Sequence, residues 1–137
     1  MKPTSIILHH SLTKDSNTVS WSAIRRYHVH QRGWIAIGYH FGIELVGNQY
    51  EVLIGRMPNV RGAHCRGRNS NTWGICFVGN FDKHPPDASV LMIGKNLIRG
   101  LMEIADIPKD GIHRHSDFSS TTCPGKLFPF EEFISSL

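Results

Sequence analysis

No apolar run in the chain approaches the ~20 residues that a membrane-spanning helix needs, and no block holds five or more like charges. Internal repeats, low-complexity tracts and linker-like stretches are also absent. These absences exclude a helical membrane span, a charged interaction tail and a repeat array. Cysteine is scarce. Cys65, Cys76 and Cys123 do not make a disulfide framework, which leaves metal binding or plain burial as their uses. The first ten residues carry too short an apolar stretch for a signal peptide, so a chain made and first held in a reducing cytosol is expected.

What remains is an ordinary globular composition. The 137 residues, 40% hydrophobic and 19% charged, suit one domain with a real core. A net charge of +4 favours anionic partners, of which nucleic acid is one and a bacterial cell wall another. Arg25, Arg26, Arg32, Arg61, Arg66 and Arg68 are spread among aromatics and glycines, so no dedicated nucleic-acid site is expected.

Patterning predicts strands interleaved with helices. Ile6-Ile7-Leu8-His9-His10 reads as a central strand, apolar on both faces, with His9 and His10 pointing to opposite sides. Residues 11–19 are polar and loop-like. Ser20 is a plausible N-cap, Trp21, Ile24 and Tyr27 recur at helical spacing, and Gly33 sits where a C′ glycine belongs. Tyr39 to Ile43 reads as a second strand whose alternation puts Tyr39, Phe41 and Ile43 on one face. A turn at residues 46–49 returns a hairpin partner over residues 50–54.

From Gly55 to Asn71 the pattern dissolves into a long loop, and loops of that length are usually functional. Residues 73–79 form a buried strand in which Cys76 is an ordinary core thiol. Asp87 is placed to cap a long amphipathic helix that ends before Pro108, with Gly94 and Gly100 weakening it locally. Residues 112–115 can be a last short strand, and Phe130, Phe133, Ile134 and Leu137 close the chain at helical spacing. The predicted architecture is α/β, one domain with a central mixed sheet flanked by helices.

The densest chemistry lies between His113 and Gly125, where His113, His115 and Cys123 crowd one short segment. Imidazole nitrogen and thiolate sulfur are ligand types that zinc prefers. Such a segment can supply one His and the Cys; a catalytic zinc site then needs one more ligand and keeps a fourth position open for water. The His9-His10 pair can supply it, and strand geometry lets only one of the two join. His113 and His115 share a strand face, so periodicity does not choose between them.

Four stretches in order, an apolar strand ending in His9-His10, Gly38-Tyr39-His40-Phe41, Gly62-Ala63-His64, and His115-Ser116-Asp117 ahead of Cys123-Pro124-Gly125, resemble the zinc-dependent N-acetylmuramoyl-L-alanine amidases. That superfamily includes amidase-type phage lysozymes and animal peptidoglycan recognition proteins. The resemblance runs from Ile6 to Gly125 and takes in Asn71 with the strand that follows it. It implies one Zn²⁺ per chain, held by His9, His115 and Cys123, the second histidine chosen by the family's spacing of eight positions before the cysteine. It implies Tyr39 as a phenol donor to a developing oxyanion and Thr121 as a second catalytic group, standing where some phage enzymes carry lysine. His64 and Asn71 are the expected substrate contacts, with His64 lining the groove; Cys65, His10, His28 and His113 receive no assigned role.

The implied reaction is hydrolysis of the amide between the lactyl group of N-acetylmuramic acid and L-alanine of the stem peptide. A phage or prophage endolysin, or a bacterial cell-wall amidase, fits it: a monomer that binds peptidoglycan, does not insert into membranes and acts on the wall after release. Residues 1–137 would be a single catalytic domain. The alternative is a non-catalytic peptidoglycan-binding module, which in this superfamily often lacks the cysteine that Cys123 supplies here. A zinc deaminase is excluded, because the chain has neither the His-x-Glu nor the Pro-Cys-x-x-Cys pattern that chemistry uses.

Overall fold

The computed structural model describes residues 1–13 and 21–137. Ser20 and residues 14–19 lie outside the described residues, so the N-cap and most of the polar loop expected there receive no structural account.

Five strands form one sheet in the order β3-β2-β4-β1-β5. They are β1 (Ser5–His10), β2 (Phe41–Val46), β3 (Gln49–Ile54), β4 (Thr72–Phe77) and β5 (Ile112–Arg114). β1 runs parallel to β4 and β5, β2 runs parallel to β4, and the β2–β3 hairpin is antiparallel. Three helices complete the described fold: α1 (Trp21–Arg26), which continues into a wider π-type turn over Tyr27–Gln31, α2 (Ala88–Ala105) and α3 (Phe130–Ser135).

β1 is central because Ile6, Ile7 and Leu8 have no polar face to show to water. All three are fully buried, each worth roughly 1.5–3 kcal/mol of transfer free energy. Alternation then sorts the sheet. Ile6, Leu8, Phe41, Ile43, Trp73, Ile75 and Phe77 pack with Val90, Ile98 and Leu101 of α2 and Phe133 of α3. On the opposite face Trp21 of α1 packs with Ile37, Cys76 and Val78. Helices therefore cover both faces of the mixed sheet, as the patterning predicts.

Gly33 has φ +69°, the left-handed conformation that suits a C′ residue. Asp87 occupies the N-cap position of α2 with extended backbone, but its carboxylate makes no capping bond. It accepts instead from the Tyr50 hydroxyl at 3.0 Å, tying the hairpin to the helix start.

Two expectations are corrected. β2 begins at Phe41, and Tyr39 does not share a face with Phe41 and Ile43. It packs against the Trp21, Ile37, Cys76 and Val78 cluster, on the side of the sheet where His9 lies. Strand alternation does not extend back through His40 to Tyr39. β5 also ends at Arg114, so His115 opens a 3₁₀ turn, His115–Asp117, just beyond the strand.

Candidate metal centre and its surroundings

The C-terminal ends of the parallel strands carry the site. His9 sits near the end of β1 and pairs in register with Cys76 of β4. His115 follows β5 directly, and the loop after it brings Cys123 back across β1, where the His10 backbone N–H donates to Cys123 Sγ at 3.4 Å. One donor atom each from His9, His115 and Cys123 lies within 4.8 Å of the others. His9 Nδ1 is 3.7 Å from Cys123 Sγ. A tetrahedral zinc with ordinary Zn–N and Zn–S distances separates two such donors by about 3.6 Å, so the set present fits that ion. His9 and Cys123 are buried and His115 is half-buried, which leaves one side approachable.

The neighbouring histidines have other work. His113 turns its ring edge-on to Phe118, 5.1 Å between centroids. His10 lies on the opposite face from His9 and accepts the Phe81 backbone N–H at its Nδ1, 3.1 Å away. His28 accepts the Gly38 N–H at 3.1 Å and stands 5.7 Å from the Tyr39 ring. A cavity of about 300 Å³ lies between Ser11, Thr13, Tyr27, His28 and Tyr39, and a larger one, about 530 Å³, between Leu12, Phe81, Lys83 and His84. Neither is lined by His9, His115 or Cys123; Tyr39, whose ring packs against His9, lines the first.

Tyr39 packs its ring 5.1 Å from that of His9. Burial first, then Cys76 and Cys123, pushes its phenol well above the ordinary 10.0, so it stays a protonated donor. Cys76 lies beside it as a fully buried core thiol whose own pKa burial raises well above 9.0. Burial holds His9 well below 6.5, helped by the neighbouring His64, His115 and His10. Burial also pushes the Cys123 thiol up to about 12, against the pull of the His10 N–H. By itself the pocket resists charge; a bound divalent cation inverts that preference and deprotonates a coordinating thiol.

The two expected substrate contacts, His64 and Asn71, lie away from an open groove, while Thr121 stands beside Cys123. His64 is buried beneath His9 rather than along the groove, its Nδ1 3.0 Å from His9 Nε2. Asn71 is exposed and pairs with Thr4 at the N-terminal ends of β1 and β4. Its neighbour Thr72 is four residues, roughly 13 Å of strand, from Cys76, the register partner of His9. Thr121 is exposed, and its Oγ1 accepts the Cys123 backbone N–H at 3.2 Å. Sequence reasoning passed over Asn69 and Thr72. Asn69 Oδ1 accepts the backbone N–H groups of His64 and Cys65 at 2.8 and 2.9 Å. The signal for Asn69 was its place in a long glycine-rich loop beside His64.

The fold and donor set together define a class: a mixed-sheet α/β domain with a two-imidazole, one-thiol cluster at the C-terminal edge of its parallel strands. The chain belongs to the N-acetylmuramoyl-L-alanine amidase family, which matches residues 1–126. It is 34% identical over 125 residues to peptidoglycan-recognition protein SC2 of Drosophila melanogaster, spanning 87% of this chain and 66% of that protein, a little under two thirds. It is 34% identical over 122 residues to the endolysin of Klebsiella phage KP32, 87% of this chain and 78% of that one. The solved structure of N-acetylmuramoyl-L-alanine amidase LysC from Clostridium intestinale URNW superposes with a TM-score of 0.88 at 34% identity, covering 98% of this chain and 85% of that one. No helix among the described residues is long and apolar enough to cross a membrane.

Proposed function

We propose that residues 1–137 act as one catalytic domain that hydrolyses the amide between the lactyl group of N-acetylmuramic acid and L-alanine in peptidoglycan, with one Zn²⁺ per chain. The observation that carries this reading is the donor cluster: His9, His115 and Cys123 within 4.8 Å, with Tyr39 packed against it. Those three residues would hold the zinc, which when bound supplies Lewis acidity, polarising a carbonyl and lowering the pKa of water.

The chain's own residues do the rest. Burial keeps Tyr39 protonated, so its hydroxyl can donate to the oxygen on which charge develops. Thr121 accepts the Cys123 backbone N–H through an oxygen lone pair, and its O–H can still donate a hydrogen bond to substrate. The cavity that Tyr39 lines, about 300 Å³, has room for part of a peptide or sugar.

Recognition without cleavage is the rival, favoured by the name of the SC2 relative. A complete donor set with a preorganised phenol speaks for catalysis. The chain is read as a monomer, and the endolysin relatives favour action on the cell wall after release. The test is digestion of purified peptidoglycan. New free alanine amines without new reducing sugar ends are expected; reducing ends instead would identify a glycosidase and overturn the reading.

A further inference from the structure

The two nitrogens of the His9 ring have different neighbours. Nδ1 lies 3.7 Å from Cys123 Sγ, and Nε2 lies 3.0 Å from His64 Nδ1. A hydrogen bond between two ring nitrogens uses one proton, carried by one of them. The far end of His64 decides which. His64 Nε2 lies 3.5 Å from the Thr72 carbonyl oxygen, which can only accept, and 3.3 Å from Thr72 Oγ1. The Thr72 hydroxyl already donates its proton to the Arg68 carbonyl at 2.8 Å, so it too meets His64 as an acceptor. His64 Nε2 therefore carries the proton and His64 Nδ1 is bare. His9 Nε2 is then the donor, and the free lone pair of His9 is at Nδ1, on the side of Cys123.

We propose that His64 is a positioning residue that fixes His9 as the tautomer offering Nδ1, rather than Nε2, to a metal. The inference rests on the reading of His9, His115 and Cys123 as the metal-holding set.

The ring of His64 is held in place for this. A Cβ at Gly74 would stand 2.4 Å from its Cγ, and one at Gly62 would stand 2.6 Å from its Cδ2. The two glycines thus form a slot that only the bare backbone leaves open. Asn69 fixes the His64 backbone from the same loop. His40, edge-on to His64 at 5.7 Å, does not compete for it. Its Nδ1 accepts from the Gly74 N–H and its Nε2 donates to the Val60 carbonyl. Metal-bound histidines generally donate their second nitrogen to a carboxylate, a carbonyl or water. Here the acceptor is a neutral imidazole, which orients His9 without adding negative charge and leaves Cys123 as the single anionic donor.

The test uses the full chain with ¹⁵N-labelled histidine. Long-range ¹H–¹⁵N correlation on zinc-free protein should show His9 protonated at Nε2. Zinc affinity by chelator competition should fall about 10–100-fold in His64→Leu, which removes the acceptor. His64→Asn, which can place an amide oxygen near the Nδ1 position, should keep most of the affinity and the same His9 tautomer. If His64→Leu does not fold, the native spectrum and His64→Asn carry the decision. Protonation of His9 at Nδ1 in the native protein, or His64→Leu binding zinc as tightly as native, would overturn the proposal. Native protein that binds no zinc at all would overturn the metal reading instead, and the spectrum would still judge the tautomer.

Discussion

At the scale of single residues, two hydroxyls, on Tyr39 and Thr121, are placed to act on substrate. Tyr39 is packed by His9 on one side and Trp21 on another, so Tyr39→Phe removes only the donor. A preorganised donor aimed at an oxyanion is worth ~10²–10³ in turnover. We expect Tyr39→Phe to bind zinc and insoluble cell wall normally and to cleave the amide roughly 100-fold more slowly. Cleavage at the native rate would demote Tyr39 to a core residue. Thr121 is exposed and makes one bond to the Cys123 backbone, so its removal should cost less. Thr121→Ala should keep zinc and lose about 10-fold in rate, one hydrogen bond's worth. Steady-state kinetics beside elemental analysis checks both variants.

At the scale of elements, α2 offers a paired test of packing against propensity. Gly94 and Gly100 both weaken the helix in principle, each by about 1 kcal/mol relative to Ala. Their surroundings differ. A Cβ at Gly94 would stand 2.6 Å from Phe77 Cε1, while one at Gly100 meets nothing within 4 Å. Gly100→Ala should therefore stabilise by about 0.5–1 kcal/mol. Gly94→Ala should destabilise, because overpacking a core costs ~1–3 kcal/mol and outweighs the helical gain. Urea denaturation of the two variants should give opposite shifts in midpoint; the same sign for both would contradict the packing described.

The same contrast shows what was legible in the sequence. Apolar runs and alternation located β1, the β2–β3 hairpin, β4 and α2, because those signals are local. Cys123 stood out ahead of Pro-Gly, while choosing His9 over His10 needed the family resemblance. His115 needed the family's spacing, since His113 shares its strand periodicity. What was not legible depended on the path of the loop over residues 55–71. Nothing local says that this loop folds His64 under His9, slots it between Gly62 and Gly74, and leaves Asn71 at the far end of the strand. Tyr39 was assigned the wrong face because alternation was extended past the first residue of β2, where the strand geometry that justifies it stops.

At the scale of the whole molecule, buried titratable groups set a window of stability. His9, His10, His28, His40, His64 and His115 all lie below the ordinary 6.5, with burial the leading cause, His64 down to about 3. A folded-state value below the unfolded one means that the unfolded chain takes up protons first. The contribution of these rings is full above 6.5 and lost as pH falls. Burial raises the thiols of Cys65, Cys76 and Cys123 above 9.0. Their contribution is full below that value and lost as pH rises. The urea midpoint of metal-free protein should therefore be flat between about pH 7 and 9 and fall on both sides. A midpoint that climbs on acidification to about pH 5 would contradict the burial of these rings in the folded state.

The central claim, that His9, His115 and Cys123 hold one metal ion, is tested most directly by the zinc content of purified variants. Native protein should carry about one zinc per chain. Cys123→Ala, His9→Ala and His115→Ala should each lose it. His113→Ala should keep it, because that ring faces Phe118 rather than the cluster. Zinc retained in His115→Ala and lost in His113→Ala would contradict the account.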